Sequence, residues 1–471
     1  MTLRTERWDL AVIGSGPGGY AAALTAARRG ARVCLIEREQ WGGVCLNVGC
    51  IPTKALVSVA HLARRIRQAG RLGITVGSVS LDYPAILARN AAIVTRLRQG
   101  LMDLLRRERI ELVAGQAAFE GPHQLAITRD GATAAVTADR VIIAAGARPL
   151  AGPWRVDERR LLSYRGLLAL THLPPSLLVI GGGVIGCEFA SLLAAFGTSV
   201  TLIEQQPRLL PAEDPDAVRW LTQRLTAEGA TVFTGTTVQQ LVSDAEGVRA
   251  TLADGTTRTA AYALIAIGLA PTLDALRLDA AGIAAGRGLD VDASLRTSQP
   301  HIAAIGDCLP GHGLAHWASA EGAAAARTLL GDAPQSVDPS DVPRCAFTEP
   351  ELAHIGPLES AVAGARVSRL SFGALGKSHC DEDTDGFVKL LVDPATDQVL
   401  GATIVGAHAS SLIHYAVLAR RHGLTAKQLA RTITAHPTLP EAITETAAQL
   451  YGESLVAASR ASTAAARRSP A

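Results

Sequence analysis

The sequence has no excess of either charge, few cysteines and no long uninterrupted apolar run. Among its 471 residues, 45 Lys and Arg nearly balance 43 Asp and Glu, which leaves a formal net charge of +2. Proteins that bind nucleic acid usually carry a strong basic field. The charge balance therefore argues against nucleic acid as a partner.

The sequence also lacks signals for secretion or membrane insertion. Arg4, Glu6, Arg7 and Asp9 interrupt the N-terminal segment, which has no long h-region of the secretory type. No apolar run approaches the ~18 residues that are needed to cross a bilayer. We therefore expect a cytoplasmic protein with no membrane partner, and its length fits three or four domains.

Cysteine is scarce and scattered, with one exception. Of seven cysteines, only Cys45 and Cys50 lie close together. In a reducing compartment such a set does not suit a structural disulfide framework, and the close pair is better explained by catalysis or metal binding. Cys34 and Cys187 lie inside apolar stretches and are expected to be unreactive core thiols.

A glycine-rich turn follows the first apolar stretch. WDLAVIG leads into Gly14, Gly16 and Gly19, then into an Ala-rich helical pattern and a second apolar stretch that ends at Glu37. This order of strand, glycine turn, helix, strand and acid predicts a dinucleotide-binding unit. Its glycines permit the tight turn, the approach of the pyrophosphate and the packing of the helix, and Glu37 would accept hydrogen bonds from a ribose.

The same pattern occurs a second time. SLLVIGGGVIGCEFASLLAAFGTSVTLIE contains Gly181, Gly183 and Gly186 and ends at Glu204, so that each first glycine precedes its acid by 23 positions. Two matching copies predict two bound dinucleotides. Because hydride moves directly between a nicotinamide and a flavin, FAD with a pyridine nucleotide is the expected pair. Glu204 favours NAD over NADP, because a carboxylate binds a free 2′-hydroxyl and repels a 2′-phosphate.

The close cysteine pair has an awkward spacing for a helix. Two residues five positions apart on a regular helix have Cα atoms roughly 8 Å apart, whereas a disulfide needs about 7 Å or less. Gly49 could release the segment from helical geometry, and Pro52 suits the first turn of a following helix. Cys50 would then lie near a helix N-terminus, which favours a thiolate.

Three interpretations of this pair remain open from the residues alone. A redox disulfide beside the first nucleotide site is preferred. A zinc site is an alternative, although no second close Cys or His pair offers the usual spacing. A pair of inert core thiols is the other alternative.

Thiol exchange needs a base, and one candidate lies near the C-terminus. TAHPTLPEAITETA contains His436 and Glu441, with Pro437 and Pro440 holding the loop between them extended. Glu441 could begin the next helix and accept a hydrogen bond from the imidazole, fixing its tautomer and raising its basicity. The stretch would also suit a surface histidine in a turn, but the cysteine pair favours the acid–base role.

Other apolar stretches end at glycine or aspartate. VIIAAGARP around Gly146 and ALIAIGLAP around Gly268 are typical of buried strands that leave one domain for the next. HIAAIGDCLPG places Asp307 after a buried strand. There its carboxylate could bind a sugar-like hydroxyl chain, or it could act only as a helix cap or turn residue.

With these residues assembled, the chain resembles the pyridine nucleotide-disulfide oxidoreductases, and within them the members that oxidise dihydrolipoyl groups. The match runs from about residue 8 to 455. Its most specific parts are GGVCLNVGCIPTKAL, GGGVIGCEFA, IGDCLPGHGLAHWASAEG, FTEPELAHIG and AHPTLPEAI, all in family order. The resemblance implies an α/β fold with two Rossmann-like dinucleotide-binding domains, for FAD and NAD, and a C-terminal α+β dimerisation domain.

The resemblance also implies domain boundaries. Residues 1–150 would form the FAD-binding domain with the redox disulfide, and 151–275 the NAD-binding domain. Residues 276–342 would complete the FAD site, and 343–471 would form the interface of a homodimer.

Catalytic roles follow from the same resemblance. It implies that Cys50 lies against the flavin as the charge-transfer thiol and that Cys45 exchanges with the substrate disulfide. His436, supported by Glu441, would be the acid–base, and both would be donated across the homodimer interface to the other subunit's cysteines.

The resemblance further assigns positions that contact the cofactors. Lys54 would lie near flavin N5, paired with Glu188. The positions that match FAD contacts are Gly14, Gly16, Gly19, Glu37, Ala117, Asp307 and Ala315. Those that match NAD contacts are Gly181 to Glu188, which include Gly183 and Gly186, together with Glu204, Val238 and Gly268.

The sequence departs from the family pattern at several positions. GLAPT places Leu269 and Thr272 where arginine and asparagine are common, which puts contacts near the second nucleotide in doubt. Ala117 replaces a common glycine, and Pro440 a small polar residue. The tail ASRASTAAARRSPA is expected to be disordered. We expect no lipoyl domain in this protein, so its lipoyl group would come from a partner such as a 2-oxoacid dehydrogenase complex or the glycine-cleavage system.

Other functions of the same relay stay open. The protein could reduce a glutathione-like disulfide or mercuric ion. However, the segment after Cys50 stays apolar until His61, Arg64 and Arg65, which favours a neutral substrate, and no cysteine pair follows Cys380 as mercuric reductases usually have. A non-catalytic flavin-binding subunit is a further alternative, which the retained thiols and base argue against.

Overall fold

The structure is a computed structural model that describes residues 7–311 and 313–458. The predicted disordered tail lies outside the described residues from position 459 onward. The strands are β1 (Arg7–Trp8), β2 (Leu10–Ile13), β3 (Val33–Glu37), β4 (Glu111–Ala114), β5 (Gln116–Gly121), β6 (Gln124–Arg129), β7 (Ala132–Ala138), β8 (Val141–Ile143), β9 (Ala147–Pro149), β10 (Leu161–Leu162), β11 (Ser176–Ile180), β12 (Ser199–Ile203), β13 (Thr231–Phe233), β14 (Val238–Ser243), β15 (Val248–Leu252), β16 (Thr257–Ala260), β17 (Tyr262–Ile265), β18 (Leu269–Pro271), β19 (Ile302–Ala304), β20 (Arg344–Ala346), β21 (Glu351–Ile355), β22 (Arg366–Ser371), β23 (Gly386–Val392) and β24 (Val399–Gly406).

Twelve α-helices connect or cover these strands in the described ranges. They are α1 (Pro17–Ala27), α2 (Gly43–Val48), α3 (Cys50–Gln68), α4 (Tyr83–Arg107), α5 (Tyr164–Ala169), α6 (Val184–Phe196), α7 (Pro215–Ala227), α8 (Ala315–Leu329), α9 (Gly376–Cys380), α10 (Ala409–Arg421), α11 (Ala426–Ala430) and α12 (Glu441–Gln449). Single 3₁₀ turns occupy Ala69–Leu72, Leu278–Ala281, Gly306–Cys308, Pro339–Asp341, Glu359–Ala361 and Phe372–Ala374.

The chain forms two compact units whose segments interleave along the sequence. The first combines the chain up to Val59 with Gly77–Leu173 and Leu264–Val337. The second combines Ala60–Val76, Pro174–Ala263 and the chain from Asp338 onward. The four-part division expected from the sequence stays a prediction.

A parallel sheet forms the centre of the first unit. Its strand order is β19-β8-β2-β3-β4, and β2 pairs in parallel with β3 from Leu10 opposite Val33 to Ile13 opposite Ile36. Strands β2 and β3 are buried along their whole lengths, as expected for parallel strands covered on both faces. Their apolar, β-branched residues therefore form the core beneath the first glycine turn.

Helices α1 and α8 pack closely because both are rich in small residues. An ideal Cβ on Gly322 of α8 would lie 2.2 Å from the carbonyl oxygen of Gly18 on α1. The two backbones approach closely only because this position has no side chain. The first unit also contains the sheet β1-β7-β6-β5 and the short antiparallel pair β9 and β18.

The second unit repeats the parallel arrangement. Strands β11, β12 and β13 run parallel, with Ser176 opposite Ser199 and Thr201 opposite Thr231. Helix α6 follows β11 and is buried over most of its length. A three-stranded antiparallel sheet, β14-β15-β16, follows.

The C-terminal part of the second unit is an antiparallel sheet with helices. Its order is β20-β21-β24-β23-β22, and apolar residues of β21, β23 and β24 pack with those of α10 and α12. The buried Nζ of Lys389 on β23 donates to Asp214 and Asp216 at 2.9 Å each and to Glu359 at 3.2 Å. Two parallel Rossmann-like sheets and a C-terminal α+β part confirm the predicted fold class.

One helical run bears on the expectation that no segment spans a membrane. Among the described residues, Gly43–Leu72 is long and apolar enough to cross a membrane by length and composition alone. The run is apolar on average, but it contains Lys54 and four arginines, Arg64, Arg65, Arg67 and Arg71. Two helices, α2 and α3, make up most of this run, and they meet at Gly49.

Candidate active site

The first glycine turn lies between β2 and α1. Gly14 has φ +99°, and an ideal Cβ there would lie 2.2 Å from the carbonyl oxygen of Ala144. A Cβ on Gly19 would lie 1.8 Å from the carbonyl oxygen of Gly14. Only glycine fits either position. By contrast, a Cβ on Gly16, the N-cap of α1, would meet no atom within 4 Å.

The acid at the end of β3 is held against this turn. Glu37 Oε2 accepts hydrogen bonds from Ser15 N at 3.0 Å and from Ser15 Oγ at 2.6 Å. Its Oε1 accepts from Glu39 N at 2.8 Å. The carboxylate is almost fully buried and has a fixed orientation at the carboxyl end of the parallel sheet.

The second glycine turn repeats this geometry in the second unit. Gly181 has φ +109°, and a Cβ on Gly186 would lie 1.9 Å from the carbonyl oxygen of Gly181. Gly183 is the N-cap of α6 and has open space at its Cβ position. Glu204 accepts from Gly182 N at 2.5 Å and from Gln206 N at 2.6 Å.

Both turns fit a dinucleotide. The first-turn amides of α1 and α6 receive no side-chain cap, and open space faces the N-cap glycine of each helix. Uncapped amides at a helix N-terminus suit a diphosphate. A ribose hydroxyl beyond the diphosphate would find the fixed carboxylate of Glu37 or Glu204.

The cysteine pair forms a disulfide. Helix α2 ends at Val48, Gly49 adopts φ −136° and ψ −110°, and α3 begins at Cys50. This break brings the Cα atoms of Cys45 and Cys50 to 4.6 Å, well inside the separation of a continuous helix. The disulfide and the role of Gly49 are confirmed, and the zinc and inert-thiol alternatives are not what the structure shows.

A glycine pair places α2 on the first glycine turn. Gly42 and Gly43 have φ +93° and +63°, and a Cβ on Gly43 would lie 2.7 Å from Cα of Gly16. Gly42 N donates to Ser15 Oγ at 3.0 Å. Asn47 Nδ2 donates to the carbonyl oxygens of Trp41 and Gly43, both at 2.9 Å. The disulfide therefore lies beside the first nucleotide site, as predicted.

The remaining cysteines differ from this pair in environment. Cys34, Cys187 and Cys308 are fully buried, which confirms the core placement predicted for the first two. Burial raises the pKa of the Cys34 and Cys308 thiols to about 12 and raises that of Cys187 as well. These three thiols are poor nucleophiles because thiolate is disfavoured at their positions.

The His436 and Glu441 side chains are in contact, as predicted. His436 Nδ1 lies 2.8 Å from Glu441 Oε1, and Glu441 is the first residue of α12. Glu441 Oε2 accepts from Thr438 N at 2.8 Å. Burial acts to raise the pKa of Glu441, but the Thr438 amide and His436 outweigh it, and the pKa is lowered.

This contact leaves the other imidazole nitrogen available. The His436 side chain is 77% exposed, and the bond at Nδ1 to a carboxylate favours the tautomer with its lone pair on Nε2. The histidine can therefore accept a proton at Nε2 from a group that approaches from outside. The disulfide belongs to the first unit and the His436 pair to the second.

The other predicted site residues occupy ordered positions in the fold. In the first unit, Lys54 lies on α3, Ala117 on β5, Asp307 in the 3₁₀ turn Gly306–Cys308, Ala315 at the start of α8, and Gly268 at φ +131° just before β18. In the second unit, Val238 begins β14, and Glu188 of α6 accepts from Phe347 N at 2.9 Å. Their roles toward the cofactors stay predictions.

Sequence reasoning missed several residues that hold these sites in place. Ser15, Gly43 and Asn47 were not singled out, and neither was Glu321, whose buried carboxylate accepts from Gly306 N at 2.7 Å. Glu321 has a detectable signal, because it is the lone acid in an Ala-rich helix. Ser15 occupies a variable position of the glycine motif, so its bonds could not be deduced from that motif.

Two family models match the chain and together cover most of it. The model described as pyridine nucleotide-disulphide oxidoreductase matches residues 8–322. The model described as the dimerisation domain of the same family matches residues 342–447.

Curated relatives are similar over nearly the whole chain. A dihydrolipoyl dehydrogenase of Chlorobaculum tepidum is 38% identical over 94% of this chain and 96% of its own length. A dihydrolipoyl dehydrogenase of Bacillus subtilis is 37% identical over 93% of this chain and 97% of its own length.

Solved structures show the same extent of similarity. LpdA from Mycobacterium tuberculosis matches with a TM-score of 0.89 at 31% identity, covering 94% of this chain and 99% of that one. The HOCl-induced flavoprotein disulfide reductase RclA from Escherichia coli, solved as a Cu(II) complex, matches with a TM-score of 0.86 at 28% identity, with the same coverage of both chains.

Proposed function

This chain belongs to the pyridine nucleotide-disulphide oxidoreductase family, and from that premise we propose that it is a dihydrolipoyl dehydrogenase. It oxidises protein-bound dihydrolipoyl groups at the Cys45–Cys50 disulfide and delivers the electrons to NAD⁺ through FAD. The observation that carries this proposal is the disulfide itself, held at 4.6 Å between Cα atoms against a dinucleotide-binding turn. Relatives of that name at 36–38% identity support it.

The two glycine turns would hold the two cofactors. Gly14, Gly16, Gly19 and Glu37 suit the FAD diphosphate and ribose, with the α1 amides as donors. The corresponding turn at Gly181 and Glu204 suits NAD. FAD, when bound, supplies two-electron transfer between a thiol pair and a nicotinamide.

Thiol exchange at the disulfide supplies the electrons. One thiolate of the dihydrolipoyl group attacks Cys45 Sγ, the Cys45–Cys50 bond breaks, and Cys50 leaves as a thiolate. The second substrate thiol then attacks the mixed disulfide and releases Cys45, so the substrate leaves as a cyclic disulfide. The substrate loses two electrons and the cysteine pair gains them.

Cys50 is well placed to leave as a thiolate. It is the first residue of α3, a helix of 19 residues, and the positive end of the helix dipole stabilises a negative sulfur there. Cys45, on the short helix α2, would face the substrate. This assignment of roles follows the family resemblance.

His436 of the partner subunit would accept the substrate thiol proton at Nε2. Glu441 holds Nδ1 and stabilises the imidazolium that forms, because its carboxylate is ionised at neutral pH. The dimerisation-domain match indicates a homodimer. Donation of the histidine across that interface is part of the proposal.

Glu204 would select NAD over NADP. Its carboxylate is fixed by Gly182 N and Gln206 N, at the position where a 2′-phosphate would bring a second negative charge. The lipoyl group would come from a separate carrier, such as a 2-oxoacid dehydrogenase complex or the glycine-cleavage system. We place the reaction in the cytoplasm, where dithiols are kept reduced.

A steady-state assay of dihydrolipoamide oxidation with NAD⁺ tests the proposal. We expect wild-type protein to turn over and Cys45→Ser to lose at least about a hundredfold in kcat, because the exchanging thiol is gone. Cys45→Ser should still transfer electrons from NADH to ferricyanide, which needs no thiol pair. Cys380→Ser, at an exposed cysteine on α9, is the matched control and should behave as wild type.

The outcomes separate the substrate classes. If Cys45→Ser keeps full lipoamide turnover, the assignment of Cys45 is wrong. Wild-type protein could fail to turn over lipoamide but oxidise NADH in the presence of glutathione disulfide, Hg²⁺ or Cu²⁺. In that case the same thiol relay has another electron acceptor. The Cu(II) complex of the RclA neighbour is the reason for including copper.

A further inference from the structure

The hydroxyl of Ser15 bonds in two directions. It donates to Glu37 Oε2 at 2.6 Å and accepts from Gly42 N at 3.0 Å. The residue is fully buried, so water does not compete for either bond. Ser15 therefore connects the acid at the end of β3 to the first residue of the turn that leads into α2.

Each end of this connection leads to a different part of the site. Glu37 also accepts from two backbone amides, which orient its carboxylate toward the carboxyl end of the sheet. Gly42 is the N-cap of α2, the helix that carries Cys45. Gly42 and Gly43 both have positive φ, and a Cβ on Gly43 would lie 2.7 Å from Cα of Gly16, so a side chain at either position is strained. The turn is thus short and crowded, and the Ser15 hydroxyl and the Asn47 amide both restrain it.

The second glycine turn lacks this connection. Gly182 occupies the position that Ser15 has in the first turn, and its amide alone bonds to Glu204. A Cβ on Gly182 would lie 2.5 Å from Leu209 Cδ2 and 3.0 Å from Glu204 Cβ, so a serine there would require Leu209 to move. The dinucleotide-binding turn that is not followed by a redox disulfide therefore lacks this hydroxyl.

We propose that Ser15 is a positioning residue that couples the ribose-binding carboxylate of the first nucleotide site to the redox helix α2. Through its hydroxyl, the orientation of Glu37 restrains Gly42 and so the exposure of the Cys45 sulfur. The redox role of the disulfide rests on the proposed function, but the coupling itself does not depend on which substrate reaches Cys45.

The test measures how fast dithiothreitol opens the disulfide in the FAD-loaded protein. Dithiothreitol becomes a cyclic disulfide and leaves two thiols on Cys45 and Cys50, which iodoacetamide traps for counting by mass spectrometry. We expect Ser15→Ala to open about fivefold faster, because one buried hydrogen bond that restrains α2 is lost. Ser15→Gly, which copies the second turn, should behave in the same way.

Two further variants separate coupling from general loosening. Ser319→Ala removes a hydroxyl that bonds to the carbonyl oxygen of Pro17 on α1 and does not touch the α2 turn, so its opening rate should stay at the wild-type value. Glu37→Gln should speed opening of the disulfide when Ser15 is present. It should have no added effect in Ser15→Ala, because Glu37 acts on Gly42 through the Ser15 hydroxyl. Release of FAD, followed by its fluorescence, should rise with Glu37→Gln in both backgrounds.

Two results would overturn the proposal. One is an opening rate in Ser15→Ala that equals that of wild type or of Ser319→Ala. The other is an additive effect of Glu37→Gln and Ser15→Ala. Neither depends on lipoamide, so a protein that fails the lipoamide assay can still support or refute this coupling.

Discussion

Glu349 is a carboxyl group with an unusual environment in the second unit. Its Oε2 lies 3.2 Å from Nε2 of His61, and its side chain is 24% exposed. Burial raises its pKa from 4.5 to about 7, with Asp383 and Glu228 adding to the rise and Arg64 and Arg224 opposing it. Burial also lowers the pKa of His61, and Arg64 adds to that shift.

The stability of the protein should therefore depend on protonation of Glu349. The folded state holds this proton more tightly than the unfolded chain, so stability is lost as the pH rises from 4.5 to about 7. Glu349→Gln resembles the protonated form and removes that loss. We expect the variant to gain about 1–3 kcal/mol over wild type at pH 8, after allowance for partial exposure, and little or nothing at pH 4.5.

Thermal or urea unfolding of both proteins across this pH range checks the expectation. The lowered pKa of His61 has the opposite effect on stability, because the folded state holds that proton less tightly and stability is lost as the pH falls. Comparing the variant with wild type removes this contribution of His61 only in part. Glu246→Gln, at an exposed glutamate, is the control for loss of one carboxylate. A difference for Glu349→Gln that does not change with pH would contradict the assignment.

At the residue scale, the sequence predicted the chemistry best where the partners are close in the chain. Two pairs are each five positions apart, Cys45 with Cys50 and His436 with Glu441. Their spacing itself indicated that the side chains of each pair could be in contact. Ser15 and Gly42 are 27 positions apart, and their contact depends on how the β2 and β3 ends meet. That contact could not be deduced before the fold was known.

At the scale of elements, α1 and α8 of the first unit pack closely at Gly322. Gly322 faces the backbone of Gly18 and Ala22, and neither can move without disturbing the glycine turn. We expect Gly322→Ala to destabilise the protein by about 1–3 kcal/mol, because the added methyl meets fixed backbone atoms.

Gly100→Ala is the matched control for this substitution. Gly100 lies inside α4, and a Cβ there would meet no atom within 4 Å. The alanine should stabilise that helix by up to about 1 kcal/mol. Urea unfolding of the FAD-loaded proteins measures both, and equal shifts in the same direction would refute the packing argument.

Elements were predictable where a local rule dictates them. The two glycine motifs gave both strand–turn–helix–strand units, and Pro52 marked the first turn of α3. The break in helical geometry at Gly49 followed from the need to bring two sulfurs together. The Lys389 cluster was not predictable, because Asp214 and Glu359 are distant in sequence and only the folded second unit brings them to one ammonium group.

At the scale of the whole molecule, the proposal requires two copies of the chain to complete one site. A heterodimer of Cys45→Ser with His436→Gln tests this directly. One of its two sites then has an intact cysteine pair and an intact histidine, so the purified heterodimer should show about half of wild-type dihydrolipoamide turnover. Each parent homodimer should be nearly inactive.

Subunits with different affinity tags allow the heterodimer to be isolated and assayed against both parents. A heterodimer no more active than its parents would mean that cysteines and histidine of the same chain work together. The ferricyanide reaction with NADH, which bypasses both residues, reports that all three dimers carry working cofactor sites.

The placement of β19 and α8 has a consequence for how the protein is made. The edge strand of the first parallel sheet ends at Ala304, and the helix that packs on α1 ends at Leu329. During translation, α1, which follows the glycine turn at the start of the chain, is therefore synthesised long before the helix that packs on it. At ~10 residues per second this delay is about half a minute, during which α1 lacks its partner helix α8. Until about two-thirds of the chain has emerged, the surface of α1 that α8 will cover is thus exposed to aggregation.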